Sequence, residues 1–322
     1  MLEVLLDNRE GTLWDLSKIV SDISWKTERI GKPGSLDLTF IKGGIYQDKK
    51  FTINPGDVIS VKYDNIPVFL GYVFTIDTGK DEAVKIKAYD QIRYLLNVDT
   101  YVLKNITVPE IIRRIAKDFK LKVGTLAETN YKIPKLMEDS QPLLDIIDKA
   151  ITLTFSNTGR DYVLYDNFGE LTLQYVNETL TDFWIGDQSL MYDFSYSRDI
   201  DSDTYNVIKL YKDNKKSGKR EIHIAKDSVN ISKWGMLQLY QSVDEDMNKA
   251  QISKLLMRLA QIKNREGRSL KIDALGDIRV RAGIYLRVLI DELGINQPFL
   301  IDECTHKFSG GAHTMSLNLR VV

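Results

Sequence analysis

The chain holds three histidines, at 223, 306 and 313, and a single cysteine at 304. Cys304-x-His306, with His313 close behind, is the one metal-like spacing. On a strand, residues two apart share a face, so Cys304 and His306 would point the same way. A zinc site needs three or four protein ligands in a fixed cluster. The favoured reading is blander: a half-buried thiol beside a turn histidine. A Ser or Cys nucleophile needs a base held by a third group. No G-x-S-x-G is present, and no histidine sits in a motif that would pair it with a serine. Neither G-x-G-x-x-G nor G-x-x-x-x-G-K-[ST] occurs, so nucleotide binding has no support.

Carboxylates are plentiful, and a glycosidase needs only two. Asp199, Asp201 and Asp203 lie together in SRDIDSDTYN. At alternate positions they could line one strand face and bind a cation; solvation of a turn is the favoured reading. Asp81-Glu82 is a turn pair on the same argument. The run KLYKDNKKSGKRE carries Lys209, Lys212, Lys215, Lys216, Lys219 and Arg220. Asp213-Asn214 and Ser217-Gly218 are turn formers, so the run reads as a long hairpin tip. It could meet an acidic surface or nucleic acid, but a solvated loop is favoured. No residue is assigned a catalytic, cofactor-binding or metal role, and no cofactor is expected.

The elements around these residues begin as β. Leu2, Val4 and Leu6 alternate. DISWKTERIGKPGSLDLTF reads as a hairpin turning at Gly31-Lys32-Pro33-Gly34, with Leu36, Leu38 and Phe40 beyond. Asn54-Pro55-Gly56-Asp57 is a turn, Val58 to Tyr63 a strand, Asp64-Asn65 a second turn and Val68 to Ile76 the return strand. Val84, Ile86 and Ala88 begin another. Short strands at this spacing suggest a small barrel or sandwich. Near residue 100 the pattern changes. Thr107-Val108-Pro109-Glu110 has capping-box spacing, and Ile111, Ile112, Ile115, Ala116 and Phe119 follow helical periodicity. A second helix is predicted from about Ser140, with Pro142 in its first turn. DYVLYDNFGELTLQYV reads as two strands about a turn at Asp166 to Gly169. The chain then returns to β, interrupted by one long helix from Asp244 to Arg265. Its stripe is Met247, Ala250, Leu255, Leu256, Leu259 and Ile262, with Gly267 as the stop.

Two blocks recur in order, which matters because long-range repeats change the reading of a fold. Asp22-Ile23-Ser24-Trp25 matches Asp193-Phe194-Ser195-Tyr196, each followed by an alternating strand: Leu36-Leu38-Phe40 in one case, Asn206-Ile208-Leu210 in the other. PGDVISVKYDN…VFLGYVFT matches AGIYLRVLIDE…PFLIDECT, aligning Gly56 with Gly283, Val61 with Val288 and Phe69-Leu70 with Phe299-Leu300. Val84-Ile86-Ala88 and Met315-Leu317-Leu319 close the two copies. Small barrels reuse such turns, so chance is the competing account; two blocks in order favour a duplication.

At 322 residues, two or three domains are the default. Apolar residues at 43% and charged residues at 28% exclude disorder, collagen and coiled coil. Lys plus Arg is 44 and Asp plus Glu 45, so a dedicated nucleic-acid binder loses weight. One cysteine excludes a disulfide scaffold. No apolar run approaches the ~20 residues of a membrane span, and MLEVLLDNRE carries acids where a signal peptide wants bases. A soluble protein folded in a reducing cytosol is expected.

Four stretches carry a resemblance: KIKAYDQIRYLLNVDTYVLKN, DIDSDTYNVIKLY, ALGDIRVRAG and ECTHKFSGGAHTMSLNLRVV. With them the chain resembles the baseplate hub proteins of contractile phage tails and phage-tail-like bacteriocins, the XkdQ-like group of Gram-positive prophages. The resemblance runs over nearly the whole chain, and none of its stretches is a catalytic signature. It implies an α+β, mainly β fold with two tail-tube-like β-barrels, related to the tube-like part of type VI secretion spikes. The expected domains are a first barrel at 1–100, a small α/β domain at 101–178, and a second barrel at 179–322 with an insert at about 212–275. It also implies a structural, non-enzymatic role as a homotrimer joining the six-fold tail tube to the central spike and ending the tail channel. Further expected partners are other baseplate and tape-measure proteins, with no membrane and no specific nucleic acid. The expected location is the bacterial cytoplasm during assembly, then the baseplate of the particle. Some hubs carry a lysozyme or peptidase domain; this chain has no spare length for one. The alternatives are a cell-wall glycoside hydrolase with an unrecognised carboxylate pair and a carbohydrate-binding tail adhesin.

Overall fold

Alternation of apolar and polar residues sets the first region. The computed structural model describes residues 1–320 apart from 44–47, 49, 81, 215–218 and 246. Asp81, Lys215, Lys216 and the Ser217-Gly218 turn therefore lie outside the described residues. Seven strands come first: β1 (Leu2–Asp7), β2 (Leu13–Asp15), β3 (Val20–Glu28), β4 (Ser35–Ile41), β5 (Val58–Tyr63), β6 (Ile66–Thr78) and β7 (Ala83–Tyr89). On β4, buried Leu36, Leu38 and Phe40 alternate with Asp37 and Thr39. The strands assemble in the order β3-β4-β7-β6-β5-β1-β2. Val4, Leu6, Ile23, Trp25, Ile59, Val61 and Ile86 meet inside. The Asp64-Asn65 turn has φ of 49° and 65° at its two residues, as a two-residue hairpin of matching twist requires.

A middle region follows: β8 (Val98–Ile106), α1 (Val108–Asp118), β9 (Val123–Leu126), β10 (Ile133–Pro142), α2 (Leu143–Thr158), β11 (Tyr162–Asp166) and β12 (Leu171–Tyr175). The predicted capping box is present on α1: Glu110 Oε2 accepts the Thr107 N–H at 2.8 Å. The start of α2 differs from expectation. Ser140 and Gln141 belong to β10, whose ladder with β8 runs on to Pro142 opposite Val98, so the helix begins at Leu143. Cross-strand pairing there outweighs local helix preference. The two helices and the two small sheets bury Ile111, Ile112, Ile115, Ile146, Ile147 and Leu173 together.

The last region opens with β13 (Trp184–Gly186) and β14 (Met191–Asp199), then diverts into β15 (Val207–Asn214), β16 (Lys219–Lys226), α3 (Ser228–Trp234), β17 (Gln238–Ser242) and α4 (Lys249–Lys263). It closes with β18 (Gly267–Leu275), β19 (Tyr285–Ile290), β20 (Ile295–Ser309) and β21 (Ala312–Arg320). Tyr196–Leu270 forms a compact unit of its own, apart from Met1–Ser195 with Lys271–Arg320. In that smaller unit β15 lies between antiparallel β16 and parallel β17. Ile208, Leu210 and Ile252 form its core, with Leu255, Leu256 and Leu259 half-buried against them. The long helix is shorter than predicted. Asn248 accepts the Gln251 N–H at 3.0 Å and Gln251 answers the Asn248 N–H at 2.8 Å, so the cap starts the helix at Lys249 rather than near Asp244. Asn264, not Gly267, ends it, and Gly267 opens β18. The seven-residue α3 escaped the sequence reading.

The strand order of the first region returns in the last: β14-β18-β21-β20-β19 repeats β3-β4-β7-β6-β5. The backbone repeats in detail. Gly56 and Gly283 have φ of +96° and +85°, a conformation that glycine adopts without strain. Each donates its N–H at 2.8 Å, to the Val73 and Ile301 carbonyls respectively. Each ladder then shifts register at once, between Val73 and Thr75 and between Ile301 and Glu303. Val58 faces Tyr72 and Tyr285 faces Leu300, so Val61 and Val288 correspond. Two sequence matches need correction. The counterpart of Phe69 is Gln297, because Phe299 stands where Gly71 stands; the turn after β5 spans 64–65 and the one after β19 spans 291–294, and β5–β6 carries a further register shift between Val61 and Lys62, so the gap between the matched blocks was set wrongly. The strand holding Ile208 and Leu210 belongs to the smaller unit's sheet. Buried Leu270, Ile272 and Ala274 of β18 take the place of Leu36, Leu38 and Phe40. One strand pairing also differs: β1 is antiparallel to β5, whereas β13 is parallel to β19.

The two strand sets are not separate. β20 pairs with β21 on one edge and with β3 on the other, so both belong to one sheet of thirteen strands.

Candidate functional site

The β20–β3 seam gathers the residues whose spacing first drew attention. His306 stands opposite Trp25, with the rings stacked at 5.0 Å, and is fully buried. Its Nε2 lies 2.7 Å from the Val280 carbonyl, which only an N–H can approach so closely. Nδ1 is therefore the acceptor, taking the Nε2–H of His313 at 2.9 Å. Cys304 Sγ sits 3.3 Å from His306 Nε2, so these two residues do share a strand face. Burial pushes His306 down to about 4, against the pull of the Val280 carbonyl. Burial lowers His313 as well, with Asp277 opposing, and pushes the Cys304 thiol up. The thiol is fully buried and both histidines lie on strands, so the expectation of a half-buried thiol beside a turn histidine is corrected. With both His306 nitrogens engaged and the thiol held protonated, the trio is a packed core element. Among the described residues, no group of three His, Cys, Asp or Glu side chains could hold a metal ion.

The other candidates disperse. Asp199 caps its own turn, accepting from the N–H groups of Asp201 and Ser202 at 3.1 and 3.0 Å. Asp203 pairs instead with Lys263. Lys212 donates to the Met247 carbonyl at 2.9 Å. Arg220 forks onto Asp213 at 2.7 and 2.8 Å while lying 4.1 Å over the Tyr211 ring.

The carboxylates pushed upward by burial were not among the chemical candidates of the sequence. Asp90 is buried, its oxygens accepting the Gly34 and Ile92 N–H groups at 2.8 and 3.0 Å. Burial and then the charge of Asp166 hold it well above the ordinary carboxylate range. Asp166 is itself pushed up to about 6, chiefly by burial. Both line a cavity of ≈ 40 Å³ with Gly34, Val68 and Arg281. That volume admits a water or two, far less than a sugar ring. Arg281 lies 3.4 Å over the Tyr165 ring and donates to Gln174 at 3.1 Å. Asp148 is likewise pushed up to about 6, by burial and then by Asp145. Arg29 binds Asp302 at 2.6 Å and approaches Asp161 at 3.8 Å. Nothing local marks these residues, since Asp90, Asp148 and Asp166 come from three separate segments and become buried only when the middle region packs.

The face of the sheet turned away from the core has a different character. Across the seam it presents Asp22, Ser24 and Lys26 on β3 and Glu303, Thr305 and Lys307 on β20. Asp37 and Thr39 follow on β4, and Lys85 and Lys87 on β7. Opposite charges pair across strands, Lys26 with Glu303 at 2.9 Å and Lys87 with Asp37 at 3.2 Å. The result is a polar, charge-balanced wall without an apolar pocket.

Comparison with known proteins follows from this geometry. The profile of the YqbQ-like family matches residues 23–320. The phage-like element PBSX protein XkdQ of Bacillus subtilis (strain 168) is 32% identical over 314 residues, covering 96% of this chain and 94% of that one. The uncharacterised protein YqbQ of the same organism is 31% identical over 313 residues, with the same coverage. Among solved structures, the 43 kDa tail protein of prophage MuSo2 from Shewanella oneidensis superposes with a TM-score of 0.74 at 14% identity, covering 98% of both chains. A tail protein of Neisseria meningitidis MC58 gives 0.74 at 15% identity, over 99% of this chain and 96% of that one. An E. coli type VI secretion component, described as structurally similar to T4 tail proteins gp27 and gp5, gives 0.56 at 10% identity, over 100% and 77%. The fold is thus that of phage tail proteins.

Proposed function

The chain belongs to the YqbQ-like family and has the fold of phage tail proteins, and from that premise we propose that it is a structural protein, the hub of a contractile tail's baseplate. In this reading it is a trimeric, non-catalytic adaptor joining a six-fold tail tube to a three-fold spike. The observation that carries the proposal is the recurrence of one five-strand order within one continuous sheet. Three chains with two such halves each present six similar units to a tube, while the differing insertions leave the ring three-fold. A duplication of an ancestral tube-like unit accounts for the recurrence and for the shared Gly56 and Gly283 geometry. The charge-balanced sheet face supports a channel wall, because it offers a passing polymer neither an apolar pocket nor a one-signed field to hold it. The proposed domains are 1–100, 101–178 and 179–322, with the tube, spike and tape-measure proteins as partners.

Class-averaged micrographs of the purified protein mixed with its tube protein test this. Three-fold rings with a central channel capping the tube are expected; rings of another symmetry, or none, would refute it. A glycosidase reading gains nothing from Asp90 and Asp166, which face a cavity too small for a sugar. A peptidoglycan zymogram should therefore stay blank.

A further inference from the structure

β14 stands in the same place as β3 but lacks its outer neighbour. The correspondence is fixed by the strand each pairs with. The Leu275 N–H bonds the Leu190 carbonyl at 2.9 Å, and Gly267 lies against Asp199, so one residue of register is lost between them. β3 and β4 lose one residue at the same point, between Val20 and Asp22. Phe194 and Tyr196 thus take the places of Ile23 and Trp25. β3 is paired on both edges, to β4 and β20. Among the described residues, β14 is paired only to β18.

β6 is short of a partner in the complementary way. Beyond its register shift, Thr75 to Thr78 pair with β7 on one edge, and no described strand pairs with the other. The equivalent stretch of β20, Glu303 to His306, pairs with β21 on one edge and β3 on the other. The two open edges are therefore the counterparts of the two edges that zip together inside the chain. Open edges are ready templates for another strand, and this one exposes Tyr192 at 62%.

We infer that the ring contact is a β-ladder between β14 of one copy and the end of β6 of the next, in the register of the β20–β3 seam. This rests on the trimer reading and names its interface. Thr305 opposite Lys26 becomes Asp77 opposite Ser197 of the next copy, and His306 opposite Trp25 becomes Thr78 opposite Tyr196. The contact is heterologous, so repetition either closes into a ring or runs on as a filament; the six-unit count closes it at three chains.

Paired cysteines test the register. Cα atoms directly opposite in an antiparallel ladder lie about 4.5–5.5 Å apart, within disulfide reach. Shifting one partner by two residues adds about 7 Å. Cys304 is buried and leaves the background clean. Full-length Asp77→Cys/Ser197→Cys should oxidise to covalent dimers and trimers about tenfold faster than Asp77→Cys/Ser195→Cys, because only the first pair meets disulfide geometry. Light scattering on the same samples separates the outcomes. Trimers without this difference in cross-linking would overturn the ladder but leave the hub reading standing. Monomers at every concentration would overturn both. Tyr196→Arg is the check that does not depend on oxidation: it should abolish trimers while the monomer still folds, with a far smaller drop in melting temperature than Trp25→Arg, and trimers that survive it would overturn the ladder.

Discussion

β3 and β14 read alike, as DISW and DFSY, yet they end in different environments. Ile23 and Trp25 are 2% and 8% exposed, whereas Phe194 and Tyr196 remain half-exposed. Both are strands, and each pairs with the corresponding inner partner, β4 or β18. On the outer edge β20 covers β3, while no described strand covers β14. Burial of a strand residue is thus a property of the strand's neighbours as much as of its own alternation. In this fold a similar segment is core in one strand set and free edge in the other.

The sharpest test of that comparison is truncation of the paired aromatics. Trp25→Ala should cost about 3–5 kcal/mol, since a buried, stacked ring leaves a cavity. Tyr196→Ala should cost the isolated chain much less. Equal losses in chemical denaturation would show that β14 is covered within the chain after all.

The second test is pH, where the seam and the middle region slope in opposite directions. His306 is held near 4 in the fold against an ordinary 6.5, so the unfolded chain binds its proton more readily between those values. Its contribution is fully present above about 6.5 and falls by about 3 kcal/mol as pH drops through 4. Asp148 is raised to about 6 against 3.8, so its contribution is fully present below 3.8 and is lost as pH rises through 6, again by about 3 kcal/mol. His306→Gln should flatten the acid-side loss, and Asp148→Asn should stabilise the protein at pH 8 but not at pH 3.5. Unfolding midpoints across that range read both slopes; parallel pH profiles for wild type and variant would refute the corresponding assignment.

Smaller effects concern the compact unit at Tyr196–Leu270. Ile252 is fully buried and Leu256 only half so. Ile252→Ala should cost about 2–5 kcal/mol, the range for a closed core site, and Leu256→Ala clearly less. A larger loss at Leu256 would mean that α4 is covered by something beyond its own sheet. Least of all, Lys219→Ser should shift stability by no more than ~0.5 kcal/mol, as exposed changes do. A large drop in melting temperature would give the hairpin a structural role.

Local chemistry was readable from the residues wherever it is decided within a few positions. The Thr107–Glu110 box, the Asp64-Asn65 turn and the alternation of Leu36, Leu38 and Phe40 depend on neighbours in the chain, and all three stand where they were predicted. The errors share a cause. Gln141 and Pro142 joined a strand because β8 offers them a ladder; Asn248 displaced Asp244 as the helix start because it, with Gln251, completes a cap. The Phe69 and Phe299 match failed because unequal turns and a register shift in one ladder set the gap between the matched blocks. Asp90, Asp166 and Asp148 were not among the chemical candidates because a carboxylate's chemistry comes from desolvation, and desolvation depends on segments far away in sequence.

By itself, then, the sequence determined the mainly β character, the helical punctuation between residues 107 and 158, the lack of a nucleotide or nucleophile signature, and the resemblance that identifies the family. Those properties rest on periodicity, turn chemistry and residue type, which act over short spans. Only the tertiary structure decided that β18 rather than β15 completes the second strand set, and that Cys304, His306 and His313 form one hydrogen-bonded cluster. It also decided that β20 closes one edge of β3 while β14 is left open. Edges, registers and buried charges are set by which distant strands pair, because each ladder satisfies backbone groups that the strand itself leaves unbonded.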